Sequence, residues 1–295
     1  MSQKKITAIV VLYHSKHLLG GLLRNMTEKI SELDEVILID NSHQDLSEFE
    51  SRLVKVIHPA ENIGYGAAIN LGIKKAKNDK LAILNPDVTI ARWALPEKIE
   101  QSEFFILSSK PHEWPCMRRF PGIIFDFFRF ALGNLGGPFK WVQSLYGVIK
   151  IIPGKTLQAV DWVSGSLIVT NKSTMNKLNG FDEKFFLFYE EVDLCKRASL
   201  LGIPCCITPM ITFFTNQGTA SSTNVNEIKF VSSIKSAQRF HSKHTGKNIT
   251  RLIFKLLKIY CWLISILLKT FNSISNYPKA LAKERQYQIY YQNIK

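Results

Sequence analysis

Four short apolar runs rich in β-branched residues alternate with stretches of helical spacing in the first third of the chain. The runs begin at Ile6, Glu35, Val54 and Lys80. Helical spacing covers residues 18–30 and 67–77. Because the runs are apolar almost throughout, we expect strands that are covered on both faces. This order predicts an α/β domain with a mostly parallel sheet, and strand-like and helix-like segments continue to about residue 215.

The net charge of +14 favours contact with an anionic partner, and most of it lies near the end of the chain. Residues 241–295 hold ten Lys or Arg and one acid, Glu284, so they contribute 10 minus 1, or +9. The five cysteines are an odd number and form no paired CxxC motifs. The sequence therefore indicates neither a zinc site nor a disulfide framework.

Residues 251–269 form a predicted amphipathic helix within a basic helical region that covers 216–295. Its polar positions, Arg251, Lys255, Lys258, Ser265 and Lys269, follow one narrow stripe. The longest uncharged stretch has ten residues, well short of the roughly 20 that a span needs. We therefore expect the helix to lie on an anionic membrane surface, with docking on the α/β domain or on a second copy as the alternative. A nucleic-acid partner is not expected, because the basic residues interleave with Leu and Ile.

Polar residues follow the predicted strands, where ligands of parallel sheets bind. They are Tyr13, His14, Asp40, Asn41, Glu61, Asn62, Asn85 and Asp87. After the third strand, Gly64 and Gly66 would let the backbone approach a ligand at a helix N-terminus, which favours phosphate. A plain helix start is the alternative, because no third glycine completes a dinucleotide-binding motif.

Two groups of carboxylates suggest chemistry. Asp87 follows Asn85 and Pro86 in a stiff turn, where it could hold a divalent cation that bridges a diphosphate, although these residues are also common in ordinary turns. Glu190, Glu191 and Asp193 follow an aromatic string, and their mutual repulsion would raise at least one pKa, as a general base requires. An acidic first helical turn is the alternative.

Five segments occur in the order seen in family 2 glycosyltransferases. They are DNS at 40–42, ENIGYG at 61–66, NPDV at 85–88, VDWVSGS at 160–166 and GFDEKFFLFYEEVDLCKRA at 180–198. The chain most resembles bacterial rhamnosyltransferases of O-antigen and related polysaccharide assembly, over roughly residues 6–215. The resemblance implies a GT-A fold over 1–215. It also implies that the protein transfers L-rhamnose from dTDP-L-rhamnose to a lipid-linked saccharide, with inversion at the anomeric carbon. It also implies a peripheral protein at the cytoplasmic face of the bacterial inner membrane, with a homo-oligomer left open.

The resemblance also implies roles for individual residues. Glu191 would be the general base, with Glu190 beside it in the acceptor pocket. Asp87 would bind Mg²⁺ or Mn²⁺. The donor would lie along Tyr13, Asp40, Asn62, Gly64, Asn70, Asn85 and Asp87. The acceptor would meet Trp162, Gly165, Arg118 and Arg119, the arginines taking its phosphates.

Three departures from the family pattern motivate a second hypothesis. Asn85 and Pro86 stand where many members carry a further acid, and Glu190–Glu191 replaces the usual Glu-Asp pair. The segment 212–222, which follows the strand at Ile203, contains no histidine, so Asn216 or Gln217 would have to substitute. A catalytically inactive, membrane-bound subunit that binds nucleotide sugar is therefore the alternative. The hydrophobic segment 120–150 is expected to face the acceptor or the membrane, or to be a buried insertion.

Overall fold

The computed structural model describes residues 5–109, 117–132, 148–149, 152, 154–215, 223–275 and 278–294. The chain forms two compact units. The first unit comprises Met1–Phe120, Ile149–Phe186 and Glu190–Ala220. The second comprises Pro121–Val148, Leu187–Tyr189 and Ser221–Lys295. The sequence placed one boundary near residue 215, whereas the second unit also includes 121–148.

Twelve strands lie within the described residues. They are β1 (Ile6–Leu12), β2 (Leu33–Asp40), β3 (Val54–Ile57), β4 (Lys80–Leu84), β5 (Val88–Arg92), β6 (Ile106–Ser108), β7 (Met117–Arg118), β8 (Val148–Ile149), β9 (Gln158–Ala159), β10 (Leu167–Asn171), β11 (Cys205–Ile207) and β12 (Thr212–Thr215). All four of the early apolar runs are therefore strands, as predicted.

The described residues also form nine α-helices. They are α1 (Leu19–Lys29), α2 (Tyr65–Lys75), α3 (Glu97–Glu100), α4 (Ile123–Leu132), α5 (Lys172–Lys177), α6 (Glu190–Leu200), α7 (Thr223–His244), α8 (Lys247–Ser275) and α9 (Pro278–Asn293). The helix predicted at 251–269 lies inside α8. No helix of the described residues is long and apolar enough to cross a membrane.

The main sheet has eight strands in the order β3-β2-β1-β4-β10-β6-β11-β9. Strands β1, β2, β3 and β4 are parallel, with Val10 paired to Leu38 on one side and to Leu84 on the other. Strand β10 is antiparallel to both β4 and β6, and β9 is antiparallel to β11. The sheet is thus mostly parallel, and the carboxyl ends of β1 to β4 meet at one edge.

Each central strand supplies two apolar layers, one on either face of the sheet. In β1, Ala8 and Val10 face the layer that includes α1, while Ile9 faces the layer that includes α2 and α6. This two-sided burial explains why the first strand is apolar at nearly every position, since every residue of β1 is buried. The layers hold rigid strands beneath the edge where the polar residues lie.

The segment 160–166, which carries the VDWVSGS motif, lies outside the strands, and β10 begins only at Leu167. Ser164 and Ser166 form a polar turn in which the Ser166 N–H lies 3.3 Å from Ser164 Oγ. Serine hydroxyls that bond to nearby backbone compete with a strand ladder, which explains the delayed start. The turn leaves Gly165 at the end of the sheet rather than within it.

The second unit has a buried polar centre at Asp126 on α4. Its carboxylate lies 2.7 Å from His241 Nε2, accepts a 2.8 Å hydrogen bond from Arg129 Nε, and accepts a further one from the Tyr189 hydroxyl. Burial alone would raise the pKa of Asp126, but the charge of Arg129 and the contact with His241 lower it below its ordinary value. The predicted hydrophobic segment therefore contains α4, whose buried Asp126 contacts His241 of α7. The apolar pattern of this segment did not predict that contact.

Candidate active site

Tyr65, at the start of α2, contacts both the carboxyl end of β4 and the turn that precedes β10. The hydroxyl oxygen of Tyr65 lies 2.9 Å from Asn85 Oδ1 and 2.8 Å from the carbonyl oxygen of Gly165. The backbone N–H of Asn85 donates to the carbonyl oxygen of Ser166 at 2.9 Å. These bonds tie together three segments that the sequence predicted to carry the site.

Carboxylates surround this tyrosine. Burial raises the pKa of Tyr65 well above its ordinary value, and the charges of Glu190, Glu191 and Asp87 raise it further. An added Cβ on Gly165 would lie 3.8 Å from both Glu191 Cγ and Tyr65 Cε1. The structure therefore brings together the acid after β4 and the two acids that begin α6, although they are about a hundred residues apart in sequence.

Glu190 and Glu191 each have one buried carboxylate oxygen, Oε2, without a hydrogen-bond partner among the described residues. Burial raises the pKa of Glu191 to about 7, although the first backbone N–H groups of α6, at Glu191 and Val192, partly offset the rise. Burial and the charge of Glu191 raise the pKa of Glu190 well above its ordinary value. A carboxylate that has one oxygen without a partner and ionises near neutral pH is suited to accept a proton.

Asp193, the third acid of this helix, has a different environment. Arg197 Nε donates to its carboxylate at 2.8 Å, one helical turn away, and the Asp193 side chain is fully buried. The same guanidinium donates to the carbonyl oxygen of Gly180 at 2.9 Å. Asp193 therefore holds Arg197 against the loop before α6, and α6 contributes Glu190 and Glu191 to the site.

The loop before α6 is held by Asn70 of α2. Asn70 Nδ2 donates to the Phe181 carbonyl oxygen at 2.9 Å and to Glu183 Oε1 at 3.0 Å, while Asn70 Oδ1 accepts from the Phe181 N–H at 2.9 Å. Gly180 has φ +66°, and a Cβ there would lie 2.4 Å from Asn70 Oδ1. Asn70 thus acts on the site through this loop, and its direct contact with the donor stays a prediction.

Gly64 allows a close backbone approach at the start of α2. It has φ +83°, and an added Cβ would lie 2.6 Å from the Phe186 carbonyl oxygen, which accepts from the Tyr65 N–H at 2.9 Å. Asn62 Oδ1 accepts from the Gly64 N–H at 3.0 Å. Asn62 and Gly64 therefore shape the turn that presents Tyr65, and their contact with a donor also stays a prediction.

At the end of β2, Asp40 is fully buried and organises a turn. Its carboxylate accepts bonds from the Ser42 N–H at 2.9 Å and the Gln44 N–H at 2.5 Å, and His58 Nδ1 lies 3.6 Å from Oδ2. Tyr13, at the end of neighbouring β1, is 38% exposed. The buried Asp40 therefore orders the turn at this edge of the sheet, whereas the ring of Tyr13 is accessible to solvent.

Two of the predicted acceptor residues, Trp162 and Arg119, contact each other. Trp162 Nε1 donates to the Arg119 carbonyl oxygen at 3.1 Å, and Asp161 Oδ2 accepts from the Phe120 N–H at 2.9 Å. Lys196 Nζ lies 4.6 Å from the centre of the Phe120 ring. Trp162 and Arg119 are therefore neighbours, whereas the side chain of Arg118 and residues 216 and 217 lie outside the described residues.

Tyr65 is the central site residue that the sequence reasoning did not single out. It lies between Gly64 and Gly66, the two glycines that the sequence indicates as a ligand-binding turn. The available signal was an aromatic residue between two glycines, at the start of the helix that follows the third strand. Its partners, Asn85 and Gly165, could not be inferred from local pattern.

The oxygen atoms near Tyr65 suit a hard divalent cation only if the ligand contributes to its binding. Asp87 is a half-buried carboxylate after β4, and no group of three His, Cys, Asp or Glu among the described residues could hold a metal ion. Mg²⁺ is commonly bound by one or two carboxylates together with substrate phosphates and water. The residues therefore fit an ion that Asp87 and a diphosphate hold jointly.

The family model of glycosyl transferase family 2 matches residues 7–103. The chain is 25% identical over 253 residues to the low-salt glycan biosynthesis hexosyltransferase Agl10 of Haloferax volcanii, covering 82% of this chain and 75% of that protein. It is 24% identical over 169 residues to the N-acetylglucosaminyl-diphospho-decaprenol L-rhamnosyltransferase of Mycobacterium tuberculosis. That match covers 50% of this chain and 54% of the relative.

Solved structures share the fold. GalNAc-T7 with UDP, GalNAc and Mn²⁺ superposes with a TM-score of 0.61 at 14% identity, covering 82% of this chain and 48% of that one. The mannosyltransferase PcManGT from Pyrobaculum calidifontis, in complex with GDP-Man and Mn²⁺, has a TM-score of 0.53 at 12% identity and covers 98% and 86%. Residues 7–103 are therefore similar to glycosyl transferase family 2, and the chain shares the GT-A-like α/β fold of these solved structures.

Proposed function

We propose that this protein is an inverting glycosyltransferase that transfers L-rhamnose from dTDP-L-rhamnose to a lipid-linked polyprenyl-pyrophosphate saccharide. The reaction would serve O-antigen or another cell-surface polysaccharide at the cytoplasmic face of the bacterial inner membrane. The observation that carries the proposal is the buried pair Glu190 and Glu191, with its unpartnered oxygens and raised pKa values, beside Tyr65 and Asp87. The rhamnosyltransferase relative and its decaprenol-linked name support the donor and the acceptor class.

In the proposed reaction, Glu191 takes the proton of an acceptor hydroxyl as its oxygen attacks the anomeric carbon. A new carbon–oxygen bond forms while the bond from the anomeric carbon to the diphosphate breaks, and the nucleoside diphosphate leaves with the bonding electrons. A single in-line displacement inverts the configuration at that carbon. A pKa of about 7 lets Glu191 be ionised at neutral pH while remaining a better base than an ordinary glutamate.

The other residues of the site bind and orient. Tyr65 holds Asn85 and the Gly165 backbone at fixed positions, so the acceptor side and the donor side of the site keep their spacing. Asp87 would hold a divalent cation, which when bound neutralises charge on the leaving diphosphate. Glu190, whose own pKa is raised by burial and by the charge of Glu191, would line the acceptor pocket.

Substitution of the proposed base provides the first test. We expect Glu191→Gln to lower transfer by about 10²–10⁴-fold, the range for loss of a general base, with donor binding retained. Purified protein would be assayed with Mg²⁺ or Mn²⁺, a panel of dTDP-, UDP- and GDP-sugars and a lipid-pyrophosphate saccharide, following nucleotide release and product mass. The matched control is Glu28→Gln, an exposed glutamate of α1.

Two results would contradict the proposal. Near-normal transfer by folded Glu191→Gln would remove Glu191 as the base. Donor binding without transfer from any sugar of the panel would favour the inactive nucleotide-sugar-binding subunit, which the Glu-for-Asp change at 191 and the missing histidine first suggested. The anomeric configuration of the product, read by NMR, separately tests inversion.

A further inference from the structure

Helix α8 of the second unit has two apolar sides, and within the described part of the chain only one of them is covered. The covered side, which packs on other helices of the same unit, holds Thr250, Phe254, Leu257, Cys261 and Ser265. The opposite side carries the outer stripe, seven aliphatic residues that are each 44% to 64% exposed: Ile249, Leu252, Leu256, Ile259, Leu263, Ile266 and Leu267. A helix that only completed a core would need the covered side alone.

Helical geometry makes the outer stripe one continuous surface. At 100° per residue, Leu256 and Leu263 lie roughly opposite Phe254 and Cys261. The stripe runs from residue 249 to residue 267, about 27 Å at 1.5 Å per residue. Single exposed apolar residues are ordinary on protein surfaces, but a continuous exposed apolar strip of this length indicates an interaction site.

Basic residues follow one edge of the outer stripe. Arg251, Lys255 and Lys269 are exposed beside it, and the half-exposed Trp262 lies on the same edge. The sequence of α8 contains no aspartate or glutamate. Lys258, by contrast, donates to the Ile294 carbonyl oxygen at 2.9 Å and serves the fold. The pattern is an apolar face with a cationic, indole-bearing margin.

We propose that the outer stripe of α8 binds the surface of a bilayer rich in anionic phospholipid, with α8 lying in the plane of the membrane. The aliphatic side chains would enter the boundary between headgroups and acyl chains, and Trp262 would lie at headgroup level. Arg251, Lys255 and Lys269 would meet lipid phosphates, to which each basic residue adds about fivefold in affinity.

Charge favours a membrane over a second copy of the chain. A two-fold dimer through this surface would place two copies of the same acid-free helix, with their basic margins, against each other. An anionic bilayer neutralises those charges while covering the same apolar side chains. The proposal concerns binding to lipid alone and does not depend on the proposed sugar transfer.

The test is flotation of the full-length protein with vesicles, without donor or acceptor. We expect binding to vesicles of phosphatidylcholine and phosphatidylglycerol at 7:3, and at least tenfold weaker binding to phosphatidylcholine alone. High salt should weaken binding to the anionic vesicles, since surface charges are screened.

Paired variants locate the surface. Leu256→Glu with Leu263→Glu should weaken binding by about tenfold or more for each leucine removed from the boundary. The control is Leu200→Glu with Leu201→Glu, exposed leucines at the end of α6. Arg251→Glu with Lys255→Glu should weaken binding to anionic vesicles far more than Lys74→Glu with Lys75→Glu, which changes the net charge equally.

The proposal is overturned if the wild-type protein fails to float with anionic vesicles, or if each pair of variants behaves like its control. Light scattering without lipid examines the rival occupant. A wild-type dimer that Leu256→Glu with Leu263→Glu converts to a monomer, together with no flotation of the wild type, would assign the outer stripe to a second copy. Circular dichroism establishes that each variant is folded.

Discussion

Glu191 has an environment that favours its protonated form. Its pKa is raised to about 7 by burial, and one of its oxygens has no hydrogen-bond partner among the described residues. Such a carboxyl is costly to ionise and is therefore basic when ionised. The extra methylene of Glu relative to the expected Asp lengthens the side chain, yet Glu191 still lies beside Gly165 and Tyr65.

The pH dependence of transfer follows from this pKa. Because the base must be ionised, we expect kcat/KM to rise with pH through about 7 and to level off above it. Rates measured from pH 5 to 9 with saturating divalent cation would show this limb. In Glu191→Asp, whose shorter side chain sits differently, the midpoint should move while the limb persists. A flat profile in the wild type would contradict the assignment.

The same pKa predicts a gain of stability when the charge is removed. When folding raises the pKa of a glutamate, the protonated group stabilises the fold, and this contribution is complete at pH values below the ordinary pKa of 4.5. The contribution is lost as the pH rises through the folded-state pKa of about 7. Glu191→Gln should therefore raise the free energy of unfolding by roughly 1–3 kcal/mol at pH 8 and have little effect at pH 4. Urea denaturation at both pH values measures this, with Glu28→Gln as the control. Equal effects at both pH values would contradict it.

At the scale of elements, the site depends on how closely α2 approaches the loop before α6. The approach occurs where Gly64 meets the Phe186 carbonyl oxygen, and the Tyr65 N–H completes it with a hydrogen bond. Phe188 and Tyr189, just before α6, also adopt positive φ values of 67° and 68°. Backbone strain of this kind persists only where the surrounding packing holds the conformation in place, and it is common at functional sites.

Substitution at Gly64 measures that approach. Gly64→Ala should lower the free energy of unfolding by about 1–3 kcal/mol, because a side chain at φ +83° is strained and its Cβ would meet Phe186. The control is Gly20→Ala in α1, where nothing lies within 4 Å and a small stabilisation is expected. Thermal unfolding of both variants compares them directly. Similar melting temperatures for the two would refute the close approach.

At the scale of the whole molecule, the chain builds two units by different means. The first relies on a sheet with apolar layers on both faces, and the second joins helices through a buried charge at Asp126. Removal of one partner from a buried ion pair leaves the other charge uncompensated. The second unit is therefore sensitive at a single polar position, although apolar contacts make up most of its interior.

Asp126→Asn tests this dependence. We expect it to lower the free energy of unfolding of the second unit by about 3–5 kcal/mol, because the partly buried Arg129 would lose the carboxylate that compensates its charge. Glu227→Gln is the control, since it removes an exposed pair with Arg285 in the same unit and should cost less than about 1 kcal/mol. Hydrogen exchange in α4 and α7 measures the effect locally. Equal protection in the two variants would contradict the prediction.

The sequence by itself determined the α/β fold, the parallel strands, the helix at α8 and the two carboxylate groups of the site. Those features have local causes: apolar periodicity, turn residues and acids at a helix start. Only the tertiary structure decided that Tyr65 joins Asn85 to Gly165, that Asn70 holds the loop before α6, and that α4 shares a unit with the C-terminal helices. These are contacts between residues distant along the chain, and no local pattern encodes which distant partner a polar side chain will meet.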